Sequence, residues 1–292
     1  MLKRLGVALL LVLTGPLAAC STSGAGEGLQ VVTGFYPLQY VAQRVAGTDA
    51  TVTNLTRPGV EPHDTELSPR QVADVAQADV VVTMQGFQPA LDEAIANVGG
   101  DVAVVDPAAK DFVTANAPKV RADNPHFWLD PYLMADLGDA VAAALAKVDP
   151  SNRDTYVGNA MDVRLDMQKL DLEYGEKLAA CDRKTVVVSH EAFGYLDRYG
   201  LNFESIAGIS PDAEPSARHL AELSDLIRTD KITTVFTERL ASPKLAETLA
   251  DDLGIRTAVL DPIEGLVDGS AEDYLSLMRE NLAALVLANG CR

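Results

Sequence analysis

Four histidines are all that this 292-residue chain contains, and three of them occupy similar settings. His63 lies in RPGVEPHDTELSP, His126 lies in NPHFWLDP two residues before the only tryptophan, Trp128, and His190 closes the β-branched run TVVVSH. Asp261 ends another such run, RTAVLD, just before Pro262. Three neutral imidazoles and one carboxylate make an N3O donor set that suits tetrahedral Zn2+, with ligand bonds of about 2.0–2.2 Å. Imidazole also serves copper, nickel, cobalt and iron, so donor type alone leaves the metal open. The separations of 63, 64 and 71 positions (126 − 63, 190 − 126, 261 − 190) are too long for local geometry, and only a fold can make these residues converge. Taken singly, each reads equally well as a turn or cap residue, and Asp261 before proline is a turn initiator by type. His219, in EPSARHLAELSDLIR, falls within an amphipathic helical stretch and reads as an exposed or partly packed helix residue.

The elements that must position these groups alternate between short β-branched runs and helix-period segments, the pattern of an α/β fold with parallel strands. The runs in the first half are residues 29–35, 51–55, 79–84 and 101–106, and in the second half 184–190, 201–208, 232–238 and 256–262. Helical segments are expected near 215–229, 242–252 and 271–289. The chain therefore reads as two similar α/β lobes with mainly parallel sheets. His63, His126, His190 and Asp261 all fall at carboxyl ends of strands or in strand-to-helix connections, where open parallel sheets bind ligands. Between the halves, Tyr156, Ala160, Val163, Met167, Leu170, Tyr174 and Leu178 step by three and four with charged residues on the other faces. That spacing predicts one long amphipathic helix, a stiff connector interrupted only mildly by Gly158 and Gly175.

The first residues carry a different message. Lys3 and Arg4 precede an apolar stretch that is too short for a confident spanning helix and ends in small residues at Cys20, the layout of an export signal. LAAC resembles the lipobox of bacterial lipoproteins, in which Cys20 becomes the first mature residue and carries lipid, and STSGAGEG after it has the composition of a tether. The expected organisation is a signal over 1–19, a tether over 20–28, an α/β lobe over 29–149, a linking helix over 150–180 and a second lobe over 181–292. In an oxidising compartment Cys181 and Cys291 are most economically paired as a disulfide. A formal charge of −18 excludes nucleic acid as a partner class, since phosphate binding needs the opposite field.

Five stretches, PGVEPHDTELSP, NPHFWLDP, VVVSHEAFGYLDRYGL, GISPDAEPSARHLAEL and VLDPIEG, resemble in order the motifs of the zinc- and manganese-uptake substrate-binding proteins of bacterial ABC transporters, the cluster A-I metal-binding lipoproteins. The resemblance spans nearly the whole mature chain. It implies two α/β lobes joined by one rigid helix and a single transported metal ion between them, held by His63, His126, His190 and Asp261. It further implies delivery of that ion to an ABC permease, a lipid anchor on the membrane and a monomer without catalysis. His at 190, where manganese binders tend to carry Glu, points to Zn2+ over Mn2+. One departure is the stretch 107–126, which contains no histidine but His126, whereas many zinc binders carry a His-rich loop there; auxiliary metal capture is accordingly not expected. A manganese binder remains an alternative, and so does a secreted zinc hydrolase with Glu191 or Glu61 as general base, although HExxH and nucleophile-elbow motifs are missing. Glu61, Asp64, Glu191 and Glu238 are the candidates for orienting the imidazoles. Trp128 is expected at the edge of the cleft.

Overall fold

The computed structural model describes residues 28–292 except 101, 110, 111, 113–119 and 122. The expected signal, Cys20, nearly all of the tether and half of the stretch discussed for auxiliary capture lie outside the described residues. The valine-rich runs form two four-stranded sheets. β1 (Leu29–Thr33), β2 (Ala50–Asn54), β3 (Val80–Val82) and β4 (Ala103–Val105) lie in the order β2-β1-β3-β4. β5 (Thr185–Val188), β6 (Asn202–Ser205), β7 (Thr234–Thr237) and β8 (Arg256–Val259) repeat that order as β6-β5-β7-β8. Every pairing is parallel. A parallel sheet is covered on both faces, which is why the central strands β3 and β7 are buried along their whole length without polar alternation.

The covering helices are α1 (Tyr36–Ala46), α2 (Pro69–Ala76), α3 (Pro89–Val98) and α4 (Pro131–Val148) in the first lobe, and α6 (Ala217–Thr229), α7 (Lys244–Leu253) and α8 (Tyr274–Asn289) in the second. Their starts are chemically marked. Ser68 and Gln71 form a capping box at α2, Asp273 and Ser276 form another at α8, and Asp130 caps α4, whose first residue is Pro131.

Between the lobes runs α5 (Arg153–Leu178), 26 residues and so about 39 Å long. Its buried residues are Tyr156, Ala160, Val163, Met167, Leu170, Tyr174 and Leu178, the stripe predicted from the sequence. Gly158 and Gly175 sit where an added Cβ would meet nothing, and the helix passes through both. The stripe packs on α1 and α4 of the first lobe and on α8 of the second. A single apolar core therefore extends from Phe35 and Leu133 through α5 to Tyr274 and Leu285. The Tyr174 hydroxyl, fully buried, donates to the Met278 carbonyl at 2.6 Å. Cys181, just past the end of α5, is disulfide-bonded to Cys291, just past α8, and closes the second lobe across 110 residues.

Trp128 departs from expectation. It is completely buried rather than at a cleft edge, stacked edge-on against Phe35 and Phe87, and its indole N–H donates to the Pro262 carbonyl of the other lobe at 2.7 Å. A buried indole needs an acceptor for its N–H, and the nearest one here lies across the lobe boundary.

Candidate metal centre

Each histidine is delivered by a connection that leaves the carboxyl end of a strand. His63 lies between β2 and α2, where the Glu61 carboxylate accepts its backbone N–H at 3.0 and 3.2 Å. The Gln88 amide braces that loop by donating to Thr56 Oγ1 at 2.9 Å and to the Pro62 carbonyl at 3.3 Å. A side chain at Gly34 would place its Cβ 2.3 Å from Gln88 Oε1, so the brace requires glycine there. His126 precedes a buried 3-10 turn, Phe127–Leu129, that Asp130 terminates by accepting the Tyr132 N–H at 2.8 Å. His190 follows β5, and Glu238, at the end of β7, accepts from its Nδ1 at 2.6 Å.

The structure brings these three imidazoles together with Glu264, and their ligand atoms all lie within 4.8 Å of one another. Glu264 Oε1 is 3.4 Å from His63 Nε2, 2.9 Å from His126 Nε2 and 3.3 Å from His190 Nε2, and the His126 and His190 Nε2 atoms are 3.1 Å apart. Ligand bonds of about 2.0 Å at tetrahedral angles set neighbouring ligand atoms about 3.3 Å apart. Four of the six edges are thus close to those of a zinc tetrahedron. His126 and His190 have no exposure, Glu264 is 3% exposed, and the His63 side chain is 11% exposed at the mouth. Buried His63 Nε2, one of the four clustered ligand atoms, has no hydrogen-bond partner. Phe87, 4.4 Å from the His63 ring and 5.3 Å from Trp128 between ring centroids, supplies a dry wall.

Hydrogen bonding decides which nitrogens of His126 and His190 carry protons. The Asn124 amide oxygen accepts the His126 backbone N–H at 3.0 Å, and its nitrogen donates to the Glu191 carbonyl at 2.9 Å. Both partners have fixed polarity, so the amide orientation is fixed as well. His126 Nδ1, 2.8 Å from that same oxygen, must carry its proton there, which leaves Nε2 as a bare lone pair facing the cluster. His190 donates from both nitrogens, to Glu238 and to His126 Nε2, and is therefore an imidazolium. Electrostatics agree. Burial pushes His126 down to about 4. For His190 burial acts in the same direction but is outweighed by hydrogen bonds to Glu238 and Glu264, which bring it up to about 10. Burial would raise Glu264, yet the three imidazoles gathered around it hold it well below the carboxylate range. Burial, with the charge of Glu264, lifts Glu61 to about 7. A lone pair and a carboxylate oxygen face each other at 2.9 Å, an arrangement that a cation between them would stabilise.

Asp261, expected as the carboxylate of the set, is placed differently. Its Oδ2 meets Arg239 Nε at 3.0 Å and its Oδ1 accepts the Ile263 N–H at 2.8 Å, so both oxygens are engaged away from the imidazoles. The chain turns at Asp261–Pro262 and returns to the cluster three residues later with the longer Glu264 side chain. The signal was present in LDPIEG, where a turn-forming pair precedes a glutamate. Of the expected supporting carboxylates, Glu238 orients His190, Glu61 holds the backbone of His63, Glu191 contributes only its carbonyl, and Asp64 is exposed. Asn124 was missed because an amide before Pro125 reads as a turn residue. His219 lies half-buried in α6 with Nε2 2.8 Å from the Ser205 carbonyl, remote from the cluster and packed as its helical position implied.

Two parallel α/β lobes bolted together by one long helix, with a buried His3Glu cluster between them, define a two-lobed protein of the rigid, helix-linked type. The sequence matches the family described as zinc-uptake complex component A, periplasmic, over residues 31–288, and the chain belongs to that family. It is 33% identical to the high-affinity zinc uptake system protein ZnuA of Bacillus subtilis, with 92% of each chain covered. It is 34% identical to the zinc-binding lipoprotein AdcA of Streptococcus pneumoniae over 92% of its own length but only 58% of that protein, so the chain spans little more than half of that relative. Among solved structures, the Zn(II)-bound ZnuA-like domain of Streptococcus pneumoniae AdcA superposes with a TM-score of 0.76 at 34% identity, covering 90% of this chain and 99% of that one. The laminin-binding protein Lmb of Streptococcus agalactiae, described as an adhesin with metal-transporting activity, gives 0.80 at 30% identity over 89% and 99%.

Proposed function

We propose that this chain is an extracytoplasmic zinc receptor that captures Zn2+ with His63, His126, His190 and Glu264 and delivers it to an ABC permease for import. The observation that carries the reading is the set of ligand-atom separations of 2.9–3.4 Å around Glu264, the edge lengths of a zinc tetrahedron. Three imidazoles favour zinc over manganese, which prefers oxygen-rich sites. Zinc-named relatives and a zinc-bound neighbour support the same choice. Four protein donors fill the tetrahedron, whereas a hydrolytic zinc keeps a position for water, so binding rather than catalysis is the role. The LAAC sequence at Cys20, together with a relative named as a lipoprotein, supports lipid anchoring outside the cytoplasm. The continuous core through α5 restricts metal exchange to loop movements and small lobe adjustments.

The test uses chelator-stripped protein offered Zn2+ and Mn2+ at equal free concentrations, followed by X-ray absorption of the loaded form. Zinc should win, with three nitrogens and one oxygen about 2.0–2.2 Å from the metal. A preference for Mn2+ would overturn the zinc assignment, and a bound water in place of Glu264 would reopen the hydrolase reading.

A further inference from the structure

The segment Asp261–Glu264 is held in an unusual shape from three directions. Ile263, a β-branched residue, has φ of +60°, a left-handed conformation that such side chains resist. Its N–H is taken by Asp261 Oδ1 at 2.8 Å. Asp261 in turn is gripped at every polar atom. Its backbone N–H is accepted by Asn281 Oδ1 at 2.8 Å, its carbonyl accepts from Asn281 Nδ2 at 2.6 Å, and its Oδ2 pairs with Arg239 at 3.0 Å. Pro262 is fixed across the lobe boundary by Trp128. Arg239 is itself anchored to Glu272, at 2.9 Å, and to Glu280 of α8.

We propose that Asp261 is the positioning residue of Glu264: paired with Arg239, it locks the left-handed turn at Ile263 that swings the Glu264 carboxylate to the three imidazoles. Glu238, which orients His190, is the chain neighbour of Arg239. The end of β7 thus supports both donors of the second lobe, one through each of two consecutive residues. Asp261 acts through Glu264 and never reaches the metal. A left-handed isoleucine persists only where its surroundings over-determine it, so weakening the Arg239 pair lets Glu264 withdraw while the imidazoles stay in place. The inference rests on the zinc-receptor reading, and the experiment separates the two.

Zinc affinity is measured by competition with a fluorescent chelator on the full chain, for wild type, Asp261→Asn, Glu264→Ala and the double variant. The wild type must bind zinc tightly; if it does not, the metal-site reading itself fails. Given wild-type binding, Asp261→Asn should weaken zinc about 10- to 100-fold, the usual range for outer-sphere supports, yet change the Glu264→Ala background less than about twofold. An equal loss in both backgrounds would mean that Asp261 ligates the metal directly or acts through general stability, and either overturns the proposal. Unchanged affinity in the Asp261→Asn single variant overturns it too. Arg239→Gln, at a partly exposed position, repeats the test with the same expected pattern should Asp261→Asn fail to fold.

Discussion

Glu238→Gln is the perturbation whose consequence can be worked out most fully. In the metal-free protein His190 donates one hydrogen bond to Glu238 at 2.6 Å and is brought up to about 10 against the effect of burial. Zinc needs the Nε2 lone pair, so binding must expel the proton that His190 holds. At pH 8 a group of pKa about 10 is about 99% protonated, and capture should release about one proton. Glu61, at about 7, and His126, at about 4, are largely deprotonated there and add little. Without the Glu238 charge, His190 loses its largest upward contribution while burial still pulls it down, so it falls well below its wild-type value. The variant should then release fewer protons. Calorimetric titration with zinc in buffers of different ionisation enthalpy reads the number directly, as the slope of observed enthalpy against buffer enthalpy. Equal slopes for wild type and variant, or a wild-type slope under about 0.3, would refute the imidazolium assignment. Linkage fixes the signs. A raised folded-state value stabilises the metal-free protein fully below about pH 6.5, and that contribution is lost as pH climbs through about 10. Zinc affinity of the wild type should rise about tenfold per pH unit near pH 8, and that of the variant should rise less steeply.

Trp128→Phe keeps an aromatic body but orphans the buried Pro262 carbonyl at the lobe boundary, and should cost about 1–3 kcal/mol in urea unfolding; a change under about 0.5 kcal/mol would mean that the bond carries no net stability. Cys181→Ser removes the link that closes 110 residues, and on loop entropy should cost up to about 5 kcal/mol. An unfolding midpoint that reducing agent leaves unmoved would contradict this.

Features governed by short-range periodicity were legible in the residues alone. The seven-residue stripe of α5 was readable because every third or fourth position must be apolar for a helix to lie on two lobes at once. The central strands β3 and β7 were readable because a strand buried on both faces of a parallel sheet is an unbroken apolar or β-branched run. The three histidines stood out because the ends of those runs place them where such sheets hold ligands.

The carboxylate of the candidate cluster was not legible in the same way. Asp261 and Glu264 are three residues apart in one turn, and either carboxylate could have faced the cleft. The choice depends on Ile263 adopting φ of +60°, and that depends on Arg239, Asn281 and Trp128, all distant in sequence. The proton on His126 likewise follows from Asn124, whose amide is oriented by the Glu191 carbonyl across the cleft. Residue order thus determined the lobes, the connector and the three histidines of the candidate cluster, since each is written in local pattern. Tertiary structure alone decided which carboxylate lies against the three imidazoles and which nitrogens of His126 and His190 carry protons, because long-range hydrogen bonds and a strained turn have no local signature.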